Sequence, residues 1–96
     1  MSNNLHIEQK KCLGRVRVIA NPHRFRIIEL VSSEAMNIKS ISMSIGLSYT
    51  KCADYVRMLE KEGLVAKTRE GRDTMVSSNV RLEEDSIIFS KAKRKV

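Results

Sequence analysis

A glycine at position 46 separates two stretches whose apolar residues recur at helical spacing, and Leu47 and Ser48 follow it at once. A helix that stops there and restarts within two residues needs left-handed backbone at the stop. It also needs a side-chain oxygen for the new helix's free N–H groups. Glycine supplies the first and serine the second. Upstream, Ile38, Ile41, Ile45 and Leu47 mark a short helix; downstream, Cys52, Val56 and Leu59, with Tyr55 beside them, mark a longer one that ends at Gly63. So tight a joint makes the two helices cross, and each apolar stripe then needs other elements to cover it.

The neighbouring sequence supplies those elements. Cys12, Leu13, Val16, Ile19 and Ala20 recur at helical spacing, although Arg15-Val16-Arg17-Val18 also alternates like a strand. The helical reading is preferred, over 5–20. Asn21 reads as an N-cap with Pro22 at the first helical position, and Phe25, Ile28 and Val31 share one face, giving a second helix over 22–33. Residues 34–37 form a short connection with room for one or two extended residues. The central pair then occupies 38–46 and 48–62. Strands are expected near 64–69 and 74–80 around the turn Glu70-Gly71-Arg72-Asp73. From Leu82 to Lys95, acids lead and lysines and arginine finish, the polarity a helix dipole favours, so a last helix is expected over 82–95. The fold class is α+β, mostly helical with one small hairpin, in a single domain over 1–96.

Ninety-six residues support one core, and aromatics are only 4% of them with no Trp, so the interior must be aliphatic and thin. A second subunit would help close it. Eighteen Lys and Arg against eleven Asp and Glu leave a net charge of +7, which points to a polyanionic partner. No uninterrupted apolar run exceeds three residues, so no membrane span is expected. The opening Met1–His6 has neither a basic start nor an apolar core, so no secretory signal is expected. That leaves the cytoplasm, or the nucleoid of a prokaryotic or archaeal cell, as the expected location. Cys12 and Cys52 fit neither a zinc motif nor a disulfide scaffold and read as reduced core residues. No nucleophile with a base and no paired acids stand out, so an enzyme is not expected, nor is a metal or other cofactor.

Helix, helix, short helix, glycine turn, long helix, glycine-tipped hairpin and terminal helix is the element order of a winged helix-turn-helix domain. The stretch 38–65 resembles that family's reading unit, with Gly46-Leu47-Ser48 at the turn and Leu59-Glu60-Lys61-Glu62-Gly63-Leu64-Val65 leading into the wing. The stretch Ala20-Asn21-Pro22-His23-Arg24-Phe25-Arg26-Ile27-Ile28-Glu29-Leu30-Val31 is similar to the segment Ala-(Asp/Asn)-Pro-x-Arg-x-x-Ile-Leu-x-Leu of ArsR-like transcription regulators. The resemblance covers most of the chain. It implies a homodimer on operator DNA, with 1–20 and 82–96 as dimerisation helices, and it transfers no effector. Metal-sensing members carry cysteines on the helix before the recognition helix, or Asp, His and Glu on the last helix. Here 38–45 has no Cys and 82–95 no His.

Within that frame, the side of 48–62 opposite Cys52 presents Thr50, Asp54, Arg57 and Lys61, flanked by Tyr49, Lys51 and Ala53. Ser48, Tyr49, Thr50, Lys51, Asp54 and Arg57 are the expected major-groove residues. Arg57 suits guanine O6 and N7, and Thr50 or Tyr49 suits a thymine methyl or a phosphate. Asp54 either accepts from a cytosine amino group or pairs with Arg57 three residues on. In the wing, 67–74, Lys67, Arg69 and Arg72 are candidates for phosphate or minor-groove contact. Lys39, Arg24 and Arg26 read equally as backbone anchors or surface charge. Leu13, Val16 and Ile19 with Leu82, Ile88, Phe89 and Ala92 are the expected dimer seam, and a two-fold dimer implies an inverted-repeat operator. The competing readings are a chromatin-like or RNA-binding basic protein, and a winged-helix module that meets other proteins. Redox linkage through Cys12 is a further one.

Overall fold

In a computed structural model that describes residues 3–83 and 86–89, the chain begins with α1 (Asn3–Ile19) and α2 (Pro22–Ser33). The short strand β1 (Met36–Asn37), α3 (Ile38–Ile45) and α4 (Tyr49–Lys61) follow, and the strands β2 (Val65–Glu70), β3 (Asp73–Ser78), β4 (Val80–Glu83) and β5 (Ser86–Phe89) close the described chain. The starts of α2, α3 and α4 each carry a side-chain cap. Asn21 Oδ1 accepts from the backbone N–H groups of His23 and Arg24, with Pro22 opening α2. Asn37 Oδ1 accepts from Ser40 N at 2.7 Å, and Ser48 Oγ from Lys51 N at 3.1 Å.

The joint between α3 and α4 is as the glycine demands. Gly46 has φ 71° and ψ 32°, its N–H donates to Ser42 O, and Leu47 N donates to the same carbonyl at 3.0 Å. Both helices then direct their stripes inward. Ile41, Cys52, Val56 and Leu59 are fully buried with Ile27 and Ile28 of α2, while Leu64, Val65 and Val76 close the core from the wing side. Each such aliphatic side chain contributes roughly 1.5–3 kcal/mol by leaving water.

The wing sheet has the order β1-β3-β2, all antiparallel. Lys67 faces Val76 across the ribbon and Glu70 faces Asp73, leaving Gly71 and Arg72 as a two-residue loop with Gly71 at φ 61°. The extra strand is the connection after α2. Met36 pairs with Val76 and Asn37 with Met75, so one residue, Asn37, is both the end of a strand and the cap of α3.

The expected last helix is not there over the described part of 82–95. β4 and β5 form a separate antiparallel pair, with Val80 opposite Phe89 and Glu83 opposite Ser86. The acid-to-base gradient misleads because the order of charges along a segment does not by itself exclude extended backbone. Val80, Ile87, Ile88 and Phe89 are β-branched or aromatic, the types that favour extended backbone. The rest of that expectation, beyond Phe89, lies outside the described residues. Every other helix agrees with its expected span within two residues at each end, and the wing strands within two.

Gly46→Ala should destabilise the fold by about 1 kcal/mol even though a Cβ there meets no heavy atom within 4 Å, because the cost lies in the left-handed backbone. Gly46→Asn should recover part of it. Urea unfolding of the three proteins measures the difference, and an Ala variant as stable as the parent would mean the turn is not held left-handed.

Candidate nucleic-acid interface

The outer side of α4 carries the expected ridge. Tyr49, Thr50, Lys51 and Arg57 are exposed while Cys52, Val56 and Leu59, on the opposite side, have no exposure. Ser48 is exposed but its hydroxyl is engaged in the cap. Arg57 and Asp54 form an ion pair at 2.8 Å, the intrahelical alternative that the three-residue spacing leaves open. Both side chains are at least half exposed, so the pair adds little stability. Its effect is on availability, since the guanidinium engages another acceptor only by leaving or sharing the carboxylate.

The wing cations are placed differently from one another. Lys67 lies on the same face of the ribbon as Val76, toward the body of the domain, and its Nζ pairs with Glu60 of α4 at 3.2 Å. Arg69 Nε donates to Gly71 O at 3.2 Å, curling over its own tip. Arg72 is exposed at that tip. The three expected wing contacts are thus one cation tied to α4, one folded onto the loop and one open to solvent.

Arg24, readable from sequence only as surface or anchor, has a definite place. Its Nε donates to Val18 O at 2.6 Å, at the end of α1, and Nη1 lies 3.8 Å from Met58 Sδ on α4. Its guanidinium carbon sits 5.3 Å from the centroid of the Tyr55 ring. Lys51 Nζ lies 4.9 Å from that same centroid, and His23 stacks on the ring at 6.2 Å with planes 20° apart. The sequence reading left Tyr55 beside the core and did not connect it to these cations. The four-residue step from Lys51 to Tyr55 was the available signal; nothing in the sequence joined Arg24 to them. Arg26 pairs with Glu29 at 3.6 Å, and Lys39 is exposed at the start of α3.

The expected dimer residues divide. Leu13 and Val16 are about half exposed on α1, forming an open apolar stripe, and Ile87 of β5 is 39% exposed. Ile19 does not join that stripe, because it is buried in the core of its own subunit. Leu82 packs partly buried against that core, from a strand and not from a helix, and Ile88 is partly buried. Ala92 and the side chain of Phe89 lie outside the described residues. The α1 stripe is held in place at its inner end, where Arg15 Nε donates to Glu62 O at 3.3 Å and the Glu62 carboxylate lies against Gly14. Cys12 is exposed, against its reading as a core residue, while Cys52 is buried. No helix among the described residues is long and apolar enough to cross a membrane.

These elements in this order, with this turn and this ribbon, make a winged helix-turn-helix domain, and solved structures agree. The homodimeric winged helix-turn-helix DNA-binding domain of a possible ArsR-family transcriptional regulator from Mycobacterium bovis superposes with a TM-score of 0.76 at 20% identity. The match covers 81% of this chain and 72% of that one. NolR from Sinorhizobium fredii gives 0.72 at 26% identity over 81% and 78% of the two chains. Reduced HlyU from Vibrio cholerae gives 0.72 at 17% identity over 80% and 81%. No protein-family model and no curated protein matches the sequence. The resemblance to ArsR-like regulators read from residues 20–31 and 38–65 therefore holds at the level of the fold.

Burial pushes the Cys52 thiol up from its ordinary range. The native protein then keeps a proton that the unfolded chain releases above pH about 8.5. Stability from this source is complete below that pH and falls as pH rises toward the elevated folded value. Cys52→Ala, though less stable throughout from its lost packing, should show a shallower decline in unfolding free energy between pH 8 and 10. Equal slopes for the two proteins would mean the thiol ionises freely in the fold.

Proposed function

We propose that this protein is a transcription regulator that binds double-stranded DNA as a homodimer, with α4 in the major groove and the β2–β3 wing along the backbone or minor groove. The supporting observation is the two-sided α4: one side locked into the core without exposure, the other an open ridge of Tyr49, Thr50, Lys51, Asp54 and Arg57 at a capped helix start. A rigid helix with its polar side free is what groove insertion needs. The domain from Mycobacterium bovis described above is a homodimer and DNA-binding, which supports the same reading here. In the dimer, the Leu13–Val16 stripe of α1 is the seam, joined by Ile87 of the terminal hairpin, and a two-fold arrangement sets an inverted-repeat operator. Such a protein acts in the cytoplasm or on the nucleoid, performs no catalysis and needs no bound cofactor for its DNA contacts.

A non-specific basic protein is the weaker reading. Arg57 and Lys67 both carry acid partners, which lowers sequence-independent attraction and leaves specific contacts to compensate. Arg57 is the residue assigned to a guanine edge, with Thr50 and Tyr49 against a thymine methyl or a phosphate.

Arg57→Ala should remove about 1–3 kcal/mol of preference for a duplex selected from a random pool, while binding to an unselected duplex stays within a few-fold of the parent. Fluorescence anisotropy titrations with both duplexes at one salt concentration measure this. Equal losses on the two duplexes would remove Arg57 from base reading, and no binding to either at low salt would end the DNA reading.

A further inference from the structure

The cations on this domain are not equally available to a phosphate. Arg57 is paired with Asp54, Lys67 with Glu60, Arg26 with Glu29 and Arg81 with Glu83. Arg69 turns onto its own loop carbonyl. Lys51 and Arg24 are the contrasting pair: among the described residues neither has a carboxylate partner, and both lie over the ring of Tyr55, at 4.9 and 5.3 Å. Two like charges gathered on one aromatic ring repel each other. The negative face of the ring offsets part of that repulsion and fixes where the two charges stand.

The elements around the ring add to the positive field. Arg24 and His23 sit in the first turn of α2, where the helix dipole is positive, and Lys51 sits in the first turn of α4, where it is positive again. Arg24 is held from behind by Val18 O and Met58 Sδ, so its fork is oriented while further N–H groups remain unspent. Lys51, Tyr55 and Met58 share the side of α4 away from Glu60, whose carboxylate holds Lys67 of the wing. The cation pair is therefore separate from the wing and lies along the opposite edge of the ridge.

We infer that Arg24, Tyr55 and Lys51 form a binding site for a phosphate of the DNA backbone, in which Lys51 and Arg24 contact the anion and Tyr55 is the positioning residue that holds both. The inference rests on the DNA reading above and assigns within it one sequence-independent contact. Paired cations must break an existing contact before they meet a phosphate; these two need not. The phosphate replaces their mutual repulsion with a shared attraction and releases condensed counterions as it does so. Because the contact is to backbone, it fixes register along the edge of the groove and carries no sequence preference.

The test uses the full chain and a fluorescein-labelled duplex of mixed sequence about three helical turns long, titrated over a range of salt. Lys51→Gln should weaken binding and reduce the slope of log K against log salt by about two, one for each subunit of the dimer. Tyr55→Phe, which keeps the ring, should bind within twofold of the parent. Tyr55→Leu should lose roughly two- to fivefold in the parent background, as expected for a lost cation–aromatic contact. It should lose clearly less when Lys51 is already Gln, with only the Arg24 half of the effect remaining. Damage to the fold would appear equally in both backgrounds, so equal losses overturn the positioning role. An unchanged salt slope in Lys51→Gln, with the parent binding normally, overturns the phosphate site while leaving the DNA reading intact. A parent protein that binds no duplex overturns both.

Discussion

The inner side of α4 is the contact on which the remaining structure depends. Cys52, Val56 and Leu59 are wholly withdrawn from water against the isoleucines of α2 and α3 and the wing-side residues Leu64, Val65 and Val76. With few aromatic side chains in the chain, this aliphatic layer has to be continuous to exclude water at all. A helix gripped this way along one side cannot roll, so the angular position of every outward residue is set from within. Thr50, Asp54 and Arg57 are in place because Cys52 and Leu59 are.

The same core ties α4 to the ribbon beside it. Asn37 ends the strand that pairs with β3 and, through its side chain, begins α3. Asn79 Nδ2 donates to Gly63 O at 3.1 Å and its backbone N–H to Leu64 O at 2.9 Å, joining the far end of β3 to the exit of α4. Lys67–Glu60 adds a link across the surface. Wing and helices are thus connected at the entry of α3 and the exit of α4. A displacement of the wing tip is resisted by backbone hydrogen bonds and not by side-chain packing alone.

Local chemistry made most of this fold readable from sequence. A left-handed stop at Gly46, side-chain caps at Asn21 and Ser48 and stripes of isoleucine are properties of a few adjacent residues, and each appears where it was expected. The terminal segment failed the same kind of reading because its charge gradient is compatible with two backbones, and the β-branched and aromatic content that separates them is only four residues, Val80, Ile87, Ile88 and Phe89. The candidate site was legible in outline and not in detail. Spacing along one helix placed Thr50, Arg57 and even the Asp54 alternative, but Lys67 meeting Glu60, Arg24 meeting Tyr55 and Ile19 withdrawing into the core are contacts between elements far apart in the chain. No periodicity reports them.

Net charge therefore understates how selectively this surface is tuned. A balance of +7 spread evenly would attract any polyanion, and the affinity would be dominated by salt. Here Arg57 on the outer side of α4 and Lys67 of the wing are held by neighbouring acids at 2.8 and 3.2 Å, so their attraction for a polyanion is partly cancelled before contact. The Arg57–Asp54 pair is exposed and weak, so a well-placed acceptor can displace its carboxylate where a poorly placed one cannot. On the proposed DNA reading, an acid partner on Arg57 penalises the wrong sequence more than the right one, while the cations proposed to meet phosphate, Lys51 and Arg24, have no such partner among the described residues. If the proposed contacts hold, that division between paired and unpaired cations is a physical basis for specificity that neither the total charge nor the fold alone would produce.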